Sequence, residues 1–234
     1  SAGDVEFACA NANFSVIFGI QSGSNLESLA NQMSRYNEKM KEMNADYPLA
    51  CIQVYECFVR SLVGETDDPT ELSYGGKDLL SNMSETQNEI SLKNQYYFTR
   101  MFLAYVFGRY ELAAEMADQY RKVVPTMRNP RLANEIFYLA LIALASADEE
   151  AKSEARDAAA VALTELEGWL GASQWNFLHK VKLLKAEIAF HDGYVADAAN
   201  LYDDAIRIAG EHRFVHEQAL ACERCGIFYS NSGS

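Results

Sequence analysis

The sequence predicts an all-α chain of antiparallel helical hairpins stacked as a solenoid. Three observations carry that reading. Apolar residues recur at three- and four-residue steps through most of the chain. Alternation of apolar and polar residues never persists beyond a few positions, so no strand pair is expected. One glycine–alanine pattern occurs twice. With 234 residues there is enough chain to bury a substantial core, and the expectation is a single helical-repeat domain over 1–234.

The elements follow in order. Pro48 suits the first turn of a helix that runs to Gly64. The stretch from about Glu65 to Asn88, with Asp67-Asp68-Pro69 and Gly75-Gly76, is irregular and longer than ordinary connections in compact domains. It reads either as a mobile insertion or as a structured Ω-like loop. From Asn94 to Val124, Tyr97, Met101, Ala104 and Tyr105 share one helical face. Gly108-Arg109 breaks the run, and a second helix continues through Leu112, Ala113, Met116, Ala117 and Tyr120. Pro125 lies just past its end, where it does no harm. Further helices cover Arg131 to Ala147, Glu150 to Leu170, Trp175 to His191, Val195 to Ala209 and Val215 to Tyr229. All four prolines, Pro48, Pro69, Pro125 and Pro130, sit at inferred boundaries.

The repeat runs through Gly108, Ala113, Ala117 and Tyr120, and again through Gly193, Ala198, Tyr202 and Ala205. Glycine lets the chain reverse between two helices, and the small alanine lets the second helix approach the first. This resembles the glycine and second-helix positions of tetratricopeptide repeats, without the full motif. A weaker echo is Gly3, Ala8 and Ala12. In that register the chain would start on a second helix and end on the first helix at Val215 to Tyr229. Both ends would then expose apolar faces, as in a piece of a longer array prone to self-association.

Composition narrows the function. Acidic residues outnumber basic ones 33 to 20, a formal charge of −13. Nucleic acid and anionic membrane surfaces both need the opposite balance. No apolar run reaches the length of a membrane span, and the first residues carry no export signal. The five cysteines read as mostly buried thiols in a reducing compartment, which places the chain in the cytoplasm.

Motifs for chemistry are sparse. There is no phosphate-cradling G-x4-G-K-[ST] and no kinase glycine loop. His212, His216, Cys222 and Cys225 are residue types that zinc accepts, yet they lie on one continuous helix that turns the pairs about 120° apart. The cysteines read as core residues, and the histidines as residues of repeat helices or their junctions, not as ligands. Carboxylate pairs such as Asp203-Asp204 read as solvated faces. No catalytic residue, metal or cofactor is expected. The one candidate partner surface is the basic cluster Lys180, Lys182 and Lys185.

A family resemblance rests on particular segments. They are Gln174-Trp175-Asn176-Phe177-Leu178-His179-Lys180 with Lys185-Ala186-Glu187, then Ala198 through Ile206, then Ala209 through Ala221. Ser1 through Ala8, Gly64 through Leu72 and Tyr105 through Tyr110 add weaker matches. Together they resemble the tetratricopeptide-like helical region of large signalling proteins that join an AAA/STAND-type ATPase to serine/threonine and histidine kinase domains. The resemblance implies a non-catalytic scaffold or regulatory module whose partners are proteins, with ATPase and kinase activity residing in other domains. The alternative is an independent peptide-binding adaptor.

Overall fold

The computed structural model describes residues 2–81, 87–123 and 131–233. Those residues form ten helices and one very short hairpin, so the chain is all-α. No described helix is long and apolar enough to cross a membrane. By its packing the chain divides into two compact units, Ser1–Pro130 and Arg131–Ser234.

The first unit holds α1 (Ala2–Gln21), α2 (Leu26–Glu42), α3 (Asp46–Leu62), β1 (Ser73–Tyr74), β2 (Lys77–Asp78), α4 (Gln87–Val106) and α5 (Tyr110–Lys122). The second holds α6 (Leu132–Ser146), α7 (Lys152–Gly168), α8 (Gln174–His191), α9 (Val195–Glu211) and α10 (Val215–Asn231).

A three-residue connection recurs. It is Met43-Asn44-Ala45, Phe107-Gly108-Arg109, Asp192-Gly193-Tyr194 and His212-Arg213-Phe214, each with its middle residue at positive φ. The backbone N–H after that residue reaches five residues back, as from Arg109 to Ala104 O at 2.8 Å and from Tyr194 to Ala189 O at 2.8 Å. This closes the carbonyls that a helix end leaves open. Gly108 and Gly193, at φ 70° and 82°, adopt the left-handed conformation without a Cβ clash. Arg213 holds it at a steric cost of about 1–2 kcal/mol.

Left-handed residues recur about every twenty positions, at Gly23, Asn44 and Gly64 and at Gly193, Arg213 and Gly233. One hairpin therefore takes about forty residues, more than the thirty-four of a tetratricopeptide unit. The echo at Gly3 does not correspond to such a turn. Gly3 lies inside α1, Ala8 is exposed, and α1 packs on both α2 and α3 as the first helix of a hairpin. The residue types matched there without the turn that gives the pattern its meaning.

Side-chain pairs fix the directions in the second unit. Lys182 meets Asp204 at 2.8 Å and Glu187 meets Tyr202 at 2.7 Å, so one number rises as the other falls and α8 and α9 run antiparallel. Lys180 pairs with Glu217 and Glu187 with Arg224 at one constant offset, so α8 and α10 run parallel. Ala198, Tyr202 and Ala205 of the repeat pattern are buried between these helices. Ala198 is fully buried. Ala198→Leu should overpack that contact and lower the unfolding free energy by about 1–3 kcal/mol. Thermal denaturation checks this, and an unchanged midpoint would contradict close packing at this position.

The first unit departs from plain alternation. Gln95 donates to Cys51 O at 2.8 Å and Phe58 packs edge-on against Phe102 at 5.2 Å. Both pairs share one offset, so α3 and α4 are parallel. The connection between them takes the place of a second helix. α5 then returns antiparallel to α4, with Phe98 against Tyr120 and Tyr105 against Tyr110.

Candidate functional site

The α3–α4 connection is the most elaborate local structure in the described residues, and its 65–81 part is a structured loop. Asp68 accepts from Thr70 N at 2.8 Å and Thr70 Oγ1 at 2.7 Å, a turn held by its own side chain. Arg109, just before α5, donates to Asp68 at 2.7 Å and to Thr70 Oγ1 at 2.9 Å. From α4, Arg100 donates to Thr70 O at 3.0 Å and Tyr96 to Asp78 at 3.1 Å. Leu72 is buried in the core of the unit. Gly75 and Gly76, both at positive φ, turn the chain between β1 and β2, with Ser73 opposite Asp78 and Tyr74 opposite Lys77. No strand pair is expected from the sequence because each strand has two residues, too few for a pattern. The expected insertion's residues 82–86 lie outside the described ones.

Beside the loop is a cleft of about 300 Å³, lined by residues including Cys57, Arg60, Glu65, Asp67, Asp68 and Glu71. Partial desolvation works to raise the Asp68 carboxyl, but hydrogen bonds from Arg109 and Thr70 outweigh it and bring it down to about 2. Arg60 sits 3.6 Å from Glu65. Burial pushes the Cys57 thiol up to about 11, and it donates to Ser73 O at 3.3 Å. That thiol is protonated at neutral pH and makes a poor nucleophile. The cleft offers negative charge and hydrogen bonding, without a histidine to move protons.

The structure distributes the predicted basic cluster differently from a shared surface. Lys180 is buried at 5% exposure, its ammonium on Glu217 and 5.8 Å from the Phe137 and Phe214 rings. Lys182 reaches Asp204 on α9, and Lys185 reaches Glu167 on α7 at 2.6 Å. Three lysines within six residues of α8 serve three different helix–helix joins. The spacing in sequence could not show this, because each acidic partner lies on another helix.

Two buried polar networks organise the second unit. In the first, Glu217 accepts from Lys180 and His179, and His216 lies 3.6 Å away. Burial works to raise the Glu217 carboxyl, but the Lys180 charge and the histidine hydrogen bonds hold it well below the usual carboxylate range. Burial pushes His179 down against the pull of Glu217, so a neutral imidazole donates to an ionised carboxylate. In the second, Glu187 takes both Nε and Nη2 of Arg224, at 2.9 and 2.7 Å, and the Tyr202 hydroxyl at 2.7 Å. Sequence reasoning named neither network.

Of the residues weighed for zinc, His212 stacks on Trp175 at 3.9 Å, Cys225 is buried and Cys222 is exposed. The exposure of Cys222 corrects its reading as a core residue: its side of α10 faces solvent. Among the described residues, no three His, Cys, Asp or Glu side chains converge as metal ligands would. Comparison with protein-family models, with curated proteins and with solved structures finds no match to this chain.

Proposed function

We propose that this chain is a non-catalytic helical-repeat module, a tetratricopeptide-like stack of hairpins in each unit, whose partners are proteins. The observation that carries the reading is the α8–α9–α10 arrangement: antiparallel neighbours, then a parallel first helix, joined by the same left-handed turn. Such a stack offers faces and edges to other helices without needing a reacting group. The interior charges support the reading, since Lys180, Glu187, Glu217 and Arg224 are engaged in holding helices together. None of the five cysteines is in a disulfide, in keeping with a reducing, cytoplasmic setting. The sequence resemblance makes the partners neighbouring domains of a signalling ATPase and kinase.

The test is turnover. Purified chain should neither hydrolyse ATP nor transfer phosphate, because its sequence carries no phosphate-binding loop. ATP turnover that vanishes when a residue of this chain is substituted would overturn the scaffold reading.

A further inference from the structure

Three of the chain's four histidines meet where the start of α8 packs against the α9–α10 turn and the start of α10. His212 stacks on Trp175 at 3.9 Å, and its Nδ1 donates to Trp175 O at 3.0 Å. One turn along α8, the His179 ring stacks on Phe214 at 4.6 Å while its Nε2 donates to Glu217. His216 also approaches Glu217, with Nε2 3.6 Å from Oε1.

The charges at this join are already balanced. Lys180 and Glu217 are both buried and paired, one cation to one carboxylate. A proton on His179 would add a second positive charge at 2% exposure, with the same single carboxylate to share. That proton would go on Nδ1, which is buried and, among the described residues, has no acceptor. The closed join therefore has no place for it. The titratable groups facing His179 are Lys180 on its own helix and Glu217 and His216 on α10, with Tyr138 of α6 against Glu217. Burial pushes the His179 imidazole down against the pull of Glu217, in keeping with that balance.

Contacts on either side are indifferent to the proton. The His212 stack gains when its imidazole is charged, since a cation is attracted to the face of an indole. About two turns beyond Glu217, Arg224 holds Glu187 by two hydrogen bonds, and both groups keep their charges in mildly acid solution. We propose that the join is a proton-operated latch: uptake of a proton by His179 releases the first turn of α10, Val215 to Gln218, from α8, while the flanking contacts stay made. His216 is not the trigger, because its side chain is partly exposed and its proton can point to Glu217. Mild acidity thus unlocks one hinge point of the helical stack ahead of global unfolding.

Hydrogen exchange read by mass spectrometry on the intact chain tests this. The open turn binds a proton with the ordinary histidine pKa and the closed one does not, so opening should become about tenfold more frequent between pH 7.5 and 5.5. Amides 217–221, such as that of Gln218, which donates to Phe214 O at 2.8 Å, should lose protection by that factor once the intrinsic pH dependence of exchange is corrected. Amides of α6, α7 and α9 should keep theirs. His179→Gln retains a donor to Glu217 but takes no charge, so its protection over 217–221 should be the same at both pH values. His216→Gln should retain the pH dependence. Circular dichroism at both pH values verifies that each chain is folded. Unchanged protection of 217–221 in the parent chain overturns the proposal without recourse to any variant. So does protection lost across the whole second unit together, which would make the effect global, and so does pH dependence that survives His179→Gln.

Discussion

Glu187→Ala should be among the most damaging single substitutions in the second unit, lowering the unfolding free energy by about 3–5 kcal/mol. Glu187 is 3% exposed and holds the Arg224 guanidinium by two hydrogen bonds while accepting from Tyr202. Removing it takes from the buried Arg224 guanidinium and the Tyr202 hydroxyl, on two different helices, the carboxylate that both donate to. The loss comes mainly from the buried positive charge that Glu187 balances. The double variant Glu187→Met with Arg224→Met should therefore recover most of it, since apolar side chains of similar size need no partner. Urea denaturation of both variants measures the difference. Equal destabilisation of single and double variants would show that packing, not charge, dominates the site.

Acid should loosen the same unit through the other network. His179 is held neutral by burial, so its folded pKa lies below the unfolded value of about 6.5. As pH falls below about 6.5, the unfolded chain gains a proton that the folded chain refuses, and stability declines. Glu217 adds to this at lower pH. Its depressed pKa stabilises the fold above about 4.5, and that contribution fades as pH falls through the folded value. The slope is at most about 1.4 kcal/mol per pH unit for each proton involved. The groups facing His179 are Lys180 on its own helix, Glu217 and His216 on α10, and Glu217 is also faced by Tyr138 on α6. His179→Gln should flatten the decline between pH 6.5 and 5 while leaving the steeper loss at lower pH. A wild-type profile flat across that range would show that His179 takes up its proton equally in both states.

Much of the helical architecture was legible because it depends on local rules. Gly108 and Gly193 mark turns since only a residue without a Cβ enters the left-handed region at no cost. Ala113, Ala198 and Ala205 mark close contacts since a larger side chain would not fit there. Asn44 and Arg213 make the same turn and escape notice, because residue type alone does not reveal their φ.

The site was far less legible. Lys180, Lys182 and Lys185 look like one cluster in the sequence, yet their carboxylates come from α10, α9 and α7. The loop at 65–81 announces itself by Asp67-Asp68-Pro69 and Gly75-Gly76, but its anchors, Tyr96, Arg100 and Arg109, lie on or beside later helices. The sequence by itself determined that the chain is helical and where several of its helices turn, since hydrophobic period and turn chemistry act between near neighbours. Tertiary structure alone decided that α3 and α4 run parallel across a loop and that Glu187 and Glu217 bind cations in the interior. Those outcomes depend on which helices pack together, and pairwise packing between distant segments leaves no periodic trace in a single chain.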